Sequence, residues 1–225
     1  MRRVLGLSLL VLLAGFLTLI ISAGALYPGG TWCAKSSPGF DLTANFLCDL
    51  LHERGLNGVP NPGARLAHAG MVLLSLALIP FWNGVAWLSR ARPAVARATR
   101  VLGMLSAIGT LLVSLNPSDR FQKLHQLSVL TTTGVALAAA SLALIGLRSS
   151  SRGRGLVWIA GTAFALAAVD GALYLQQVLA PRDCAVLLPL LQKFAALFIL
   201  LWMIGVGLHL LREPNASAAT GSKPG

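Results

Sequence analysis

Apolar stretches of spanning length alternate with short polar connections along this chain. Six can be marked, at 4–26, 66–88, 99–115, 124–147, 156–180 and 185–211. A helix crossing the hydrocarbon core of a bilayer needs about 20 mostly apolar residues, and each stretch is of that order. The pattern predicts an all-α integral membrane protein: a six-transmembrane-helix bundle formed by residues 1–212 as a single domain. The remaining segment, 213–225, is rich in Asn, Ala, Ser, Gly and Pro and reads as a disordered cytoplasmic tail.

The polar connections supply the orientation. Arg2 and Arg3 precede the first stretch. Arg90, Arg92 and Arg97 lie between the second and third, with Arg100 at the start of the third. Arg148, Arg152 and Arg154 lie between the fourth and fifth, and Arg212 and Lys223 follow the sixth. The other connections hold fewer cations and nearly all the exposed acids. Cytoplasmic loops of membrane proteins carry an excess of Lys and Arg, so both termini are expected in the cytoplasm. The first stretch also carries features of a cleavable leader, with Arg2 and Arg3 ahead of it and Ala23-Gly24-Ala25 near its end. Its apolar run is longer than the usual leader core of about 7–15 residues, which favours a retained helix. Cleavage would leave five helices in the same orientation.

Composition agrees. The chain is 56% hydrophobic and 11% charged, against about 25% charged for a soluble domain. A net charge of +11 raises the question of nucleic acid. We exclude that partner, because 11 of the 18 cations fall in the expected cytoplasmic loops and tails. Topology and attraction to anionic headgroups explain them better.

The longest loop, Tyr27 to Arg65, is expected outside. It opens with the turn signal Tyr27-Pro28-Gly29-Gly30 and holds Trp32 as an interfacial anchor. Phe46, Leu47, Leu50 and Leu51 recur at helical spacing, which predicts a short helix over 41–51. Asn57-Gly58 and Pro60-Asn61-Pro62-Gly63 then break the chain. An ordered cap on the outer face is expected. Trp82, Trp87 and Trp158 lie toward inner helix ends, as an aromatic belt requires. The small residues of helix four after Thr131, Thr132 and Thr133 predict a central position for it.

Asp170 and Lys193 fall inside helices five and six, at equal distance from the Pro181-Arg182 turn. Charges within a bilayer are costly and functional by default. Equal depth predicts an ion pair, either structural or lining a ligand cavity. A second group gathers at the outer face: Asp41, Asp49, His52, His68, Asp119 and His125. Histidine with carboxylate is a ligand set for zinc or another divalent ion. The metal candidates are therefore His52, His68, His125, Asp49 and Asp119, against the alternative that they hydrogen-bond loop backbone. His209 reads as a boundary residue. Cys33, Cys48 and Cys184 all fall outside, where disulfides form. Cys33 with Cys48, or either with Cys184, are open pairings. No Cys-x-x-Cys, phosphate-binding glycine loop, nucleophile elbow or haem motif occurs, so no motif identifies a cofactor and its identity is left open.

Three segments resemble an uncharacterised bacterial membrane-protein family, domain-of-unknown-function family 998. Asn45-Phe46-Leu47-Cys48-Asp49-Leu50 is similar to its N-x-hydrophobic-S-D-L segment. Asn116-Pro117-Ser118-Asp119 followed by His125 resembles its P-x-D…H segment. Gln192-Lys193 followed by Trp202 resembles its (Q/E)-R…W pattern. Cys48 stands where the family usually has Ser, and Lys193 where it usually has Arg, which keeps the charge but loses the planar fork. The resemblance implies the same fold in a bacterial cytoplasmic membrane and points to Asp49, Asp119, His125 and Lys193, with no activity to carry over.

Three functions remain in view. The first is binding of a membrane lipid or another membrane protein. The second is an intramembrane metal-dependent lipid hydrolase using Asp49, Asp119 and His125. The third is a small transporter using Asp170 and Lys193.

Overall fold

The computed structural model describes residues 2–149, 154–181, 184 and 187–212; the expected tail at 213–225 lies outside them. Six helices are long and apolar enough to cross a membrane: α1 (Arg2–Ala25), α2 (Ala64–Leu88), α3 (Pro93–Leu115), α4 (Ser118–Arg148), α5 (Val157–Leu179) and α6 (Leu187–Arg212). Single 3₁₀ turns occupy Leu47–Leu51 and Arg154–Leu156. Among the described residues there is no β-strand, only isolated bridges at Gly29–Pro38 and Arg54–Pro60. This is a multi-pass, all-helical membrane protein.

Two helices begin earlier than the hydropathy pattern predicts. α3 starts at Pro93, at the first helical position, where the missing proline N–H would be unbonded anyway. Its first turns carry Arg97, which hydropathy alone assigns to a loop, and then Arg100. α4 starts at Ser118, with Asp119 in its first turn, where a carboxylate complements the helix dipole. Phe121 leaves helical geometry (φ −132°, ψ 53°) and marks the join between this polar turn and the apolar body.

The helices close into a ring in which each packs on its chain neighbours and α6 returns to α1. α2 leans inward to meet α4 and α6 as well and is the most buried span. The central helix is therefore α2, correcting the expectation for α4. Its small residues allow this: Leu210 and Val206 of α6 press on Gly84. The partner side of the α2–α3 contact is equally tight. A Cβ on Gly103 of α3 would lie 2.2 Å from the Trp82 ring. Trp82 is accordingly core, packed edge-to-face against Trp202 and tilted against Phe81, and is no belt residue. Trp158 by contrast is 84% exposed.

Contacts define two ends. Gly6 meets Gly207 and Leu211, Ser89 meets Gly146, and Leu156 meets Gly205. The Arg2 guanidinium lies over the Trp87 ring. The starts of α1, α3 and α5 and the ends of α2, α4 and α6 thus share one arginine-rich end. The opposite end is covered by residues 26–63. Ala23, Tyr27, Leu50, Leu51 and Ala67 form a small core of their own under this cap. Buried Asn61 ties it internally, donating to the carbonyls of Leu50 (3.1 Å) and His52 (2.9 Å) and accepting from the Gly63 N–H (3.0 Å). Gly30 sits at φ +86° against the Leu56–Asn57 backbone, a conformation glycine adopts without strain.

The expected helix over 41–51 is only the turn Leu47–Leu51. The Asp41 carboxylate accepts from the Thr43 (2.7 Å) and Ala44 (3.2 Å) N–H groups. This side-chain turn competes with helix formation.

Candidate functional site at the capped end

Asp49 anchors the cap. It is 2% exposed and occupies the third position of the 3₁₀ turn, from which its Oδ2 reaches back to the Phe46 N–H (2.8 Å). Asn45 Nδ2 donates to the same oxygen (3.1 Å) and Trp32 Nε1 to Oδ1 (3.2 Å). Burial outweighs these donors and holds the carboxyl above its ordinary range. Trp32 is thus tethered to Asp49, with Lys35 over its ring.

The α6 side of the cap is bonded by two adjacent side chains. Gln192 Oε1 accepts from the Leu47 N–H (2.9 Å). The Lys193 ammonium donates to the Asn45 carbonyl, and to Pro189 O at 2.9 Å. Residues 45–50 and 192–193, two of the three segments singled out in the sequence, therefore meet. Lys193 and Asp170 remain within electrostatic reach. Among the described residues, however, no hydrogen bond or ion pair joins them; the ammonium is instead turned to the carbonyls of Asn45 and Pro189. That corrects the expected direct pair. Asp170 and Tyr174, one turn apart on α5, make no hydrogen bond among the described residues. Both are in electrostatic reach of Cys48. Asp170, Tyr174, Cys48 and Lys193 thus border one half-buried region between α5, α6 and the cap.

The expected histidine group is spread along the seam between the cap, α2 and α4. His52 Nε2 and Ser118 Oγ share a hydrogen bond of 2.6 Å. Asp119 Oδ2 accepts from the Glu53 N–H (2.8 Å), and Arg120 pairs with the Glu53 carboxylate. His68 Nε2 donates to Leu51 O (3.1 Å), and its Nδ1 lies 3.3 Å from Ser114 Oγ. His125 Nδ1 donates to Asn116 O (2.8 Å). Asp119 and His125 are in electrostatic reach of each other, and His52 lies in reach of both His125 and Asp49. Asp49 is saturated by Trp32, Asn45 and Phe46.

Among the described residues, no three His, Cys, Asp or Glu side chains converge to hold a metal ion. The candidate set of His52, His68, His125, Asp49 and Asp119 therefore forms no ligand sphere. Asp49, His52, His68 and Asp119 make hydrogen bonds within or against the cap, whereas His125 bonds the Asn116 carbonyl at the α3–α4 turn. Ser118 was missed in the sequence as a partner of His52, although it stands inside the segment Asn116-Pro117-Ser118-Asp119. Nothing local signals a partner 66 residues away.

Cys33 and Cys184 are joined, their Cα atoms 4.9 Å apart, and Cys48 is free. The bridge ties the cap to the α5–α6 turn and decides among the open pairings. Burial pushes the Cys48 thiol up to about 12. The cap is therefore held to α2, α4, α6 and the α5–α6 turn, while Asp170 and Tyr174 beneath it have open hydrogen-bonding capacity. No protein-family profile, curated protein or solved structure matches this chain.

Proposed function

We propose that this protein binds the polar headgroup of a membrane lipid in the region between α5, α6 and the cap. Both termini are taken as cytoplasmic and the cap as outer, on the positive-inside argument. The carrying observation is Asp170: a carboxyl on a spanning helix with no hydrogen bond or ion pair among the described residues. An ionisable group at that depth costs at least about 2.5 kcal/mol on insertion scales. A ligand hydroxyl or ammonium would supply the missing donor, with the Tyr174 hydroxyl as a second contact. Lys193 offsets the charge from a distance while holding the cap in place. Replacing Tyr174 by a photo-reactive phenylalanine and irradiating in native membranes should give a lipid adduct. Adducts solely to protein would refute the lipid reading and favour a membrane-protein partner.

A lipid hydrolase is the second reading, favoured by the contact between Ser118 Oγ and His52 Nε2. A nucleophile within hydrogen-bond reach of a base is the arrangement such chemistry requires, and it needs no metal. A fluorophosphonate probe would label Ser118 in the wild type and not in His52→Ala if this reading holds. A transporter has less support. Discontinuous helices mark such sites, whereas α2 runs unbroken through Pro80 and α6 accommodates Pro189 in its first turn.

A further inference from the structure

At the arginine-rich end, a cavity of about 650 Å³ opens between the end of α4, the turn Arg154–Leu156 and the outer face of α5. Arg148 and Arg154 stand at its mouth. Its wall is the α5 surface from Val157 through Gly161 and Ala165 to Leu166, with Trp158 beside it. Both arginines are exposed, and neither has a carboxylate partner among the described residues. A Cβ added at Gly161 would meet nothing within 4 Å.

We infer that this groove holds one anionic phospholipid, with its phosphate on Arg148 and Arg154 and an acyl chain along α5. The lipid is the occupant because the groove is amphipathic in the matching order: two uncompensated guanidiniums at the mouth, then an apolar wall. Guanidinium forks suit phosphate geometry. Depth agrees too. Val157 to Leu166 rises about 13 Å at 1.5 Å per residue, close to half the roughly 30 Å hydrocarbon core. The groove therefore reaches from one membrane surface to mid-bilayer, the extent of one leaflet. Trp158 sits at the height where indole rings collect at membrane interfaces. α4 and α5 leave the space because α5 buries only Ala160 and Ala163. The inference rests on the membrane reading of the six helices but not on the site around Asp170, which lies toward the other end of α5.

Native mass spectrometry of the full chain in detergent, with phosphatidylglycerol and phosphatidylcholine supplied in equal amounts, tests it. The wild type should retain phosphatidylglycerol with a preference of roughly thirtyfold, since two Arg at about 1 kcal/mol each near an anionic lipid sum to about 2 kcal/mol. Arg148→Gln with Arg154→Gln should abolish that preference, and the corresponding double Lys variant should keep most of it. Gly161→Leu should displace the lipid by filling the groove. As the arginines are exposed, unchanged melting of the Gln variant shows that folding is intact. No preference in the wild type, or an unchanged preference in both the Gln and the Gly161→Leu variants, would overturn the assignment. Asp170→Asn should leave the preference intact. If that change alone removes it, the lipid is at the capped end and the groove assignment is wrong.

Discussion

Lys193 of α6 donates to the backbone carbonyl of Asn45, 148 positions earlier in the chain. An intramembrane cation thereby fastens the cap, and it acts on the acid of the adjacent helix only from a distance. The two charges can be separated by experiment. Lys193→Met should destabilise by about 1.5–3 kcal/mol, the range for hydrogen bonds to charged groups. Asp170→Asn should be neutral or stabilising, because it removes a carboxyl that has no partner. Thermal unfolding of both variants and their double in one detergent checks this. A loss of stability in Asp170→Asn that disappears in the Lys193→Met background would show that the two residues pair directly.

The disulfide closes a span of 151 residues. Cys33→Ser with Cys184→Ser should cost about 2–5 kcal/mol and make the cap cleavable near exposed Arg54. Cys48, with its thiol held near 12 by burial, should resist alkylation at pH 8 in folded protein. Rapid labelling of Cys48 without cap cleavage would show that the thiol is open to solvent.

Asp49 sets a pH dependence opposite to that of most carboxylates. Its folded-state value lies above the ordinary 3.8 because of burial. The stability it contributes is therefore complete below 3.8 and is lost as pH rises through the folded-state value. Relative to Asp49→Asn, the wild type should gain stability as pH falls from 7 toward 4. The melting-temperature difference between the two proteins, followed across that window, reports it. A difference moving the other way would mean that the Asn45, Phe46 and Trp32 donors outweigh burial.

The number and span of the helices were legible because bilayer-length apolar runs need no tertiary information. Helix starts were less legible. The first turns of α3 and α4 carry Arg97 and Asp119, which hydropathy reads as loop, while Pro93 and Asp119 satisfy helix-terminus chemistry that a hydropathy window ignores. The nearness of Asp170 and Lys193 was legible, since they lie within electrostatic reach, but contact was not. Two residues at one level can face different elements, and the carbonyls that occupy Lys193 belong to a cap residue and to its own helix. The histidines were gathered correctly at one end. Their partners are hydroxyl and carbonyl groups, such as Ser118, Ser114 and Asn116, that carry no sequence signature. Trp82 misled for a related reason: its position near a helix end says nothing of Gly103 opposite, which admits the ring to the core.

The arginine-rich end is expected in the cytoplasm. A cysteine introduced at Ser149, which is exposed at the end of α4, should react with an impermeant maleimide only in inverted vesicles. A cysteine at exposed Val59 in the cap should react only in right-side-out vesicles. The reverse pattern would invert the topology and place the cap inside.

Lipid analysis of wild-type and Asp170→Asn protein, purified side by side from the same membranes, tests the binding site most directly. One lipid class, bearing a hydroxyl or ammonium in its headgroup, should be enriched over the bulk extract in the wild type and fall to the bulk proportion in Asp170→Asn. Identical lipid profiles for the two proteins would contradict a headgroup site at Asp170.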